Sequence, residues 1–144
     1  MSNIFRSELV KLELDGKTKN EVFDELIGNI AGLYPKYIYA EMLNAVTARE
    51  KQMNTAVLPG IAVPHGYCNM TGGIIGAIGF SRGGIEYGMK EPIHAVFMLL
   101  MDKLSREDHL RVLSRLLEML NSESFTIFWT SGSRREIYGI LEHF

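Results

Sequence analysis

Cysteine is almost missing from this chain: Cys68 is the only one in 144 residues. One cysteine excludes an internal disulfide and suits a reducing cytoplasm. No unbroken apolar run reaches the ~18 residues that a membrane span needs. The opening MSNIFRSELVKLEL lacks the charged-then-apolar pattern of a signal peptide. Neither sign of charge dominates, with 15 Lys and Arg against 17 Asp and Glu and a formal net charge of −2. That balance excludes a global pull toward nucleic acid or an anionic membrane surface. Metal-site spacings (H-x3-H, HExxH, C-x-x-C) are absent, and so are the Walker A and kinase glycine patterns. A zinc site assembled from distant His65, His94 and His109 has little support. There is no repeat, low-complexity tract or linker. These absences predict a cytoplasmic protein with one domain over residues 1–144 and no metal or cofactor.

What is present reads as helices, then strands, then helices. ELVKLEL alternates weakly and predicts a short strand before the Asp15-Gly16 turn. Thr18 to Glu21 has the capping-box pattern, followed by Val22, Phe23, Leu26, Ile27, Ile30 and Leu33 at helical spacing. Tyr34-Pro35 ends that helix. A second helix is predicted from Lys36 to about Glu50, with Ile38, Met42, Ala45 and Val46 facing inward. From Thr55 to Ile93 the chain is rich in glycine and β-formers, and its glycines suit tight hairpins. IHAVFMLLM, residues 93 to 101, reads as a strand covered on both faces. A helix follows, capped by Ser105 with Asp108 at the capping-box position and carrying Leu110, Leu113, Leu116, Leu117 and Leu120. A short amphipathic helix after Ser133 closes the chain. The expected fold is α/β, a single-domain sandwich with a mixed sheet flanked by helices.

The four histidines carry most of the functional signal. His143, beside the C-terminus, is expected in solvent, and His94 inside the buried strand is expected to be structural. His109 shares a helix face with Leu113, Leu116 and Leu120 and follows the buried strand closely, at the carboxyl edge of a sheet. Two readings stand equal there: a cover for the end of the core, or an anion ligand beside a helix N-terminus. His65 lies in GIAVPHG, residues 60 to 66. Pro64 restricts the approach and Gly66 permits a sharp turn, which suits a ring presented at the surface. An ordinary strand-end histidine is the competing reading.

AREKQMNTAVLPGIAVPHG, residues 48 to 66, resembles the signature of the fructose/mannitol-type enzyme IIA domain of the bacterial sugar phosphotransferase system. The matching positions are Arg49, Glu50, Thr55 and the run Gly60 to His65. GGIEYGMKEPIHAVFMLLM and REDHLRVLSRLLEML continue the likeness across most of the chain. Leu58-Pro59 departs from the Gly-Asn that many members carry and points to a divergent or galactitol-like subgroup.

The resemblance implies that His65 accepts a phosphoryl group from the carrier HPr. It passes the group to an enzyme IIB component, and through it toward membrane enzyme IIC. It implies a hydrogen bond from His109 to the phosphoryl oxygens and charge from Arg49, with a hydroxyl from Thr55 as one option and a turn or cap role as the other. Cys68 is read as a small packed residue. Two alternatives remain: a regulatory, nitrogen-type enzyme IIA-like protein that signals through its phosphorylation state, and a non-catalytic interaction module.

Overall fold

The computed structural model describes residues 4–70, 73–123, 125, 134–142 and 144. In chain order the elements are β1 (Phe5–Lys11), α1 (Lys19–Leu33), α2 (Tyr39–Gln52), β2 (Ile61–Ala62), β3 (His65–Cys68), β4 (Ile74–Ile85), β5 (Ile93–Asp102), α3 (Arg106–Leu120) and α4 (Arg134–Glu142).

The first helix forms as its sequence predicts. Thr18 Oγ1 accepts from the Glu21 amide at 3.3 Å, and Glu21 Oε1 accepts from the Thr18 amide at 3.2 Å. This satisfies two of the donors a helix start leaves open. Val22, Phe23, Leu26, Ile27 and Ile30 are buried, and Tyr34 ends the helix with its amide on the Ile30 carbonyl. The second helix starts three residues later than expected. Tyr37 donates to the Tyr34 carbonyl at 3.0 Å, so residues 34–37 form a turn. Ile38 becomes the N-cap and is exposed, while Met42, Val46 and Glu50 face inward.

The sheet is mixed. β1 runs parallel to β4, β4 antiparallel to β5, and β2 and β3 lie end to end along the far side of β5, both parallel to it. Along β5, Val96, Met98 and Leu100 join one core with Phe23, Leu26 and Met42 of α1 and α2. Ala95, Phe97, Leu99 and Met101 join the opposite core with Leu116, Leu120 and Ile137 of α3 and α4. Helices thus cover both faces, and this strand is apolar almost throughout because neither face meets water. The sandwich is the fold class expected.

Three local expectations fail or hold only in part. Of the glycines expected in tight hairpins, Gly76, Gly79, Gly83 and Gly84 lie within β4, which absorbs extra residues as a register shift between Phe80 and Ile85. Gly88, with φ of 75°, lies in the connection that returns the chain antiparallel as β5. Ser105 makes no side-chain cap. A 3-10 turn at Lys103–Ser105 precedes α3, and Asp102 caps it by accepting from the Leu104 amide at 3.3 Å. Leu110 is exposed, and Val112 takes its place in the buried stripe with Leu113, Leu116 and Leu120. With His109 facing inward, positions three and four residues on share its face, and the adjacent residue does not. Ser133 lies outside the described residues.

Candidate functional site

The edge strand beside β5 breaks between β2 and β3, and the residues at the break are Val63 and Pro64. Pro64 has no amide proton to leave unpaired there, and its carbonyl accepts from the Leu99 amide at 3.0 Å. His65 opens β3 opposite Leu99. Its Nδ1 lies 2.9 Å from the Val63 carbonyl oxygen. A carbonyl can only accept, so the neutral ring carries its proton on Nδ1 and leaves the Nε2 lone pair free.

Gly66 does not turn the chain, as the sequence suggested; β3 continues through it to Cys68. A Cβ at Gly66 would lie 2.7 Å from the Ala45 carbonyl carbon and 2.8 Å from the Val46 amide nitrogen. Only glycine lets the strand carrying His65 lie directly on the backbone of α2. The departure at Leu58-Pro59 is accommodated by a tight turn. The Ile61 amide donates to the Leu58 carbonyl at 3.0 Å, and Gly60 has φ of 75°. Proline then glycine at the two central positions is the pattern of a type II turn.

His65 is only 8% exposed and sits recessed in a cleft of about 610 Å³, where a ring at the surface was expected. Arg49 from α2 and Arg106 from the start of α3 line the same cleft, with Asn54, Thr55 and Tyr67. No carboxylate is among the described residues lining it. The Arg49 Nη1 donates to the Met53 carbonyl at 3.3 Å, and the Arg106 guanidinium lies 4.5 Å from the centre of the Tyr67 ring. Burial holds the His65 pKa below its ordinary 6.5, and the Arg49 charge lowers it further; the bond to Val63 and the Glu50 charge oppose them. The result is an uncharged imidazole with an available lone pair, in a cleft whose formal charges are both positive.

The other expected residues divide. Thr55 is buried, and its hydroxyl donates to Glu50 Oε1 at 2.6 Å, with the Tyr87 hydroxyl 2.8 Å away. His109 is buried in the first turn of α3 with Nδ1 3.1 Å from the Asp102 carbonyl oxygen. It is anchored at the end of β5 and is not among the residues lining the cleft. The structure therefore gathers Arg49, Thr55 and His65 around one cleft, with His109 held on the Asp102 carbonyl one helical turn beyond Arg106 of its lining. His94 bonds through Nδ1 to the Ser81 carbonyl at 2.9 Å, and His143 lies outside the described residues. Cys68 is buried, and burial pushes its thiol pKa up. Among the described residues no three His, Cys, Asp or Glu side chains are grouped to hold a metal, and no helix is long and apolar enough to cross a membrane.

Sequence reasoning missed two contributors, Tyr67 and Arg106, and named Glu50 only as a matching position of the resemblance, without a role. Glu50 continues Met42 and Val46 at four-residue spacing on the buried face of α2, where an acid signals a buried partner. Tyr67 is two residues beyond His65 on the same strand face, and Arg106 is one helical turn before His109.

The family described as "Phosphoenolpyruvate-dependent sugar phosphotransferase system, EIIA 2" matches residues 3–144. The fructose-specific EIIABC component of Bacillus subtilis is 32% identical over 131 residues, which are 85% of this chain and 20% of that protein. The chain thus spans about a fifth of the length of that relative. A nitrogen regulatory protein of Pseudomonas aeruginosa is 25% identical over 76% of this chain and 73% of its own length. Among solved structures, the nitrogen regulatory protein IIA-Ntr of Neisseria meningitidis superimposes with a TM-score of 0.82 at 24% identity, covering 96% of each chain, which shows a shared fold.

Proposed function

The chain belongs to the EIIA 2 family of the phosphoenolpyruvate-dependent sugar phosphotransferase system, a phosphotransfer component, and we propose that His65 is its phosphoryl carrier. The supporting observation is the bond from Nδ1 to the Val63 carbonyl, which leaves Nε2 as the nucleophile inside a cleft flanked by two arginines. Phosphohistidine on HPr is the donor. The His65 Nε2 lone pair forms the new N–P bond, the donor's N–P bond breaks, and its electron pair returns to the donor imidazole. The Nδ1 proton stays on His65, bonded to the Val63 carbonyl, throughout. A loose transition state of this kind asks a protein mainly for alignment and charge neutralisation.

Arg49 and Arg106 supply that neutralisation, and the apolar rim contributed by Met53, Val57 and Leu110 meets the partner proteins in turn. His109, held through Nδ1 on the Asp102 carbonyl one helical turn beyond Arg106, assists at the phosphoryl group from the start of α3. Thr55 acts through its place in the loop, since its hydroxyl proton goes to Glu50. The second transfer delivers the group to an enzyme IIB component; the relative named EIIABC supports that partner and a sugar-uptake role. The nitrogen regulatory relative supports a second reading, in which the same chemistry reports phosphorylation state to other proteins.

The test is incubation with enzyme I, HPr and phosphoenolpyruvate. Acid-labile phosphate on His65, absent in His65→Ala, is expected. Discharge of that label by a fructose-type IIB supports transport. Label that no IIB drains favours the regulatory reading, and no label at all defeats both.

A further inference from the structure

Glu50 is a buried carboxylate that the phosphoryl chemistry does not use. Its side chain is 6% exposed and gathers four donors. The Thr55 amide lies 2.8 Å and the Lys19 Nζ 3.2 Å from Oε2, while the Thr55 hydroxyl lies 2.6 Å and the Tyr87 hydroxyl 3.3 Å from Oε1. Burial pushes the Tyr87 phenol pKa far up, so Tyr87 remains a donor. Lys19 also lies 4.4 Å from the centre of the Tyr87 ring.

Such a cluster is a poor way to gain stability. Desolvation of the two charges offsets most of their attraction, and apolar residues of similar volume do as well or better. What the cluster does secure is the position of one residue. Both Glu50 oxygens hold Thr55, and the Thr55 carbonyl in turn receives the amides of Val57 and Val63, each at 2.9 Å. Val63 is the residue whose own carbonyl meets His65 Nδ1. That carbonyl belongs to the Val63-Pro64 amide, which has no proton, so acceptance is the only hydrogen bond this peptide unit can make. A continuous path of hydrogen bonds therefore runs from Glu50 through Thr55 and Val63 to the reacting ring.

We propose that Glu50 is a positioning residue for His65: by clamping Thr55 it holds the Val63 carbonyl where it fixes the ring's proton on Nδ1 and exposes Nε2. Free neutral histidine favours the opposite tautomer, with the proton on Nε2 and no lone pair there to attack. Without the clamp, the ring drifts toward that form and the nucleophile is lost from the cleft. The role in transfer rests on His65 being the phosphoryl acceptor; the tautomer claim does not.

The experiment pairs nitrogen NMR of the unphosphorylated imidazole with labelling by enzyme I, HPr and phosphoenolpyruvate. The native protein should show His65 protonated on Nδ1 alone. Glu50→Ala should show a mixture with Nε2–H and a labelling rate about 10-fold lower. Glu50→Gln, which keeps one acceptor oxygen, should recover part of both. If Glu50→Ala does not fold, Thr55→Val removes the hydroxyl from the same clamp and is read in the same two ways. A folded variant that keeps the Nδ1–H tautomer overturns the proposal, whether its labelling is native or lost. If the native protein takes no label but the tautomer still shifts in Glu50→Ala, the clamp stands and the phosphoryl reading falls.

Discussion

At the scale of the residue, His65 is set apart from an ordinary histidine by what surrounds its ring. Nδ1 is bonded to backbone, and the ring lines a cleft shared with Arg49 and Arg106. Burial and the Arg49 charge hold the ring's pKa below the ordinary 6.5, and only the neutral ring can attack. Labelling should therefore stay level from about pH 8 down to 6.5 and decline only in more acid solution. A rate already halved at 6.5, measured at saturating phospho-HPr, contradicts this. His109 is anchored through Nδ1 to the Asp102 carbonyl in the first turn of α3. His109→Gln, a neutral donor of similar reach, should retain more labelling than His109→Ala, with both melting near the native temperature. A collapse of the fold in His109→Ala would instead identify it as a core residue.

At the scale of the element, the site depends on how closely β3 approaches α2. Gly66→Ala forces apart two backbones that have no flexible side chain to yield, and a cost of about 2 kcal/mol is expected from overpacking of this kind. Chemical denaturation should show that loss, together with slower labelling of the adjacent His65. Gly28 supplies the contrast. It lies within α1, where an added Cβ would point into open space, so Gly28→Ala should stabilise the protein by about 1 kcal/mol through helix propensity. Equal effects at the two glycines would show that the close approach is not what requires Gly66.

At the scale of the whole molecule, the recessed imidazole couples the site to folding. Below pH 6.5 the unfolded chain binds a proton on this ring that the folded chain refuses, because its folded pKa is depressed. Stability must then fall as pH drops from 6.5 through that lower value. His65→Gln removes this contribution, so its urea midpoint should change less than the native one between about pH 7.5 and about pH 5. A steeper decline in the variant would contradict the assignment. The same arrangement places both cleft arginines on a protein whose formal net charge is −2.

Much of this was legible along the chain because the signals are local. The capping box at Thr18, the apolar stripe of α1, the doubly covered β5 and the GIAVPHG run each follow from neighbouring residues obeying one periodicity or one turn rule. The mixed sandwich follows from their order. Tertiary structure decided what depends on distant residues meeting. Gly66 serves packing against Ala45 and Val46, and nothing adjacent to it in the chain reveals that. Glu50 reaches His65 only because Thr55, Val63 and Tyr87 are brought around it. Which nitrogen of His65 is free depends on a carbonyl two residues away, at a break in an edge strand. Periodicity encodes which face of an element is buried; hydrogen-bond geometry, and with it the chemistry of a site, is settled only when the elements have packed.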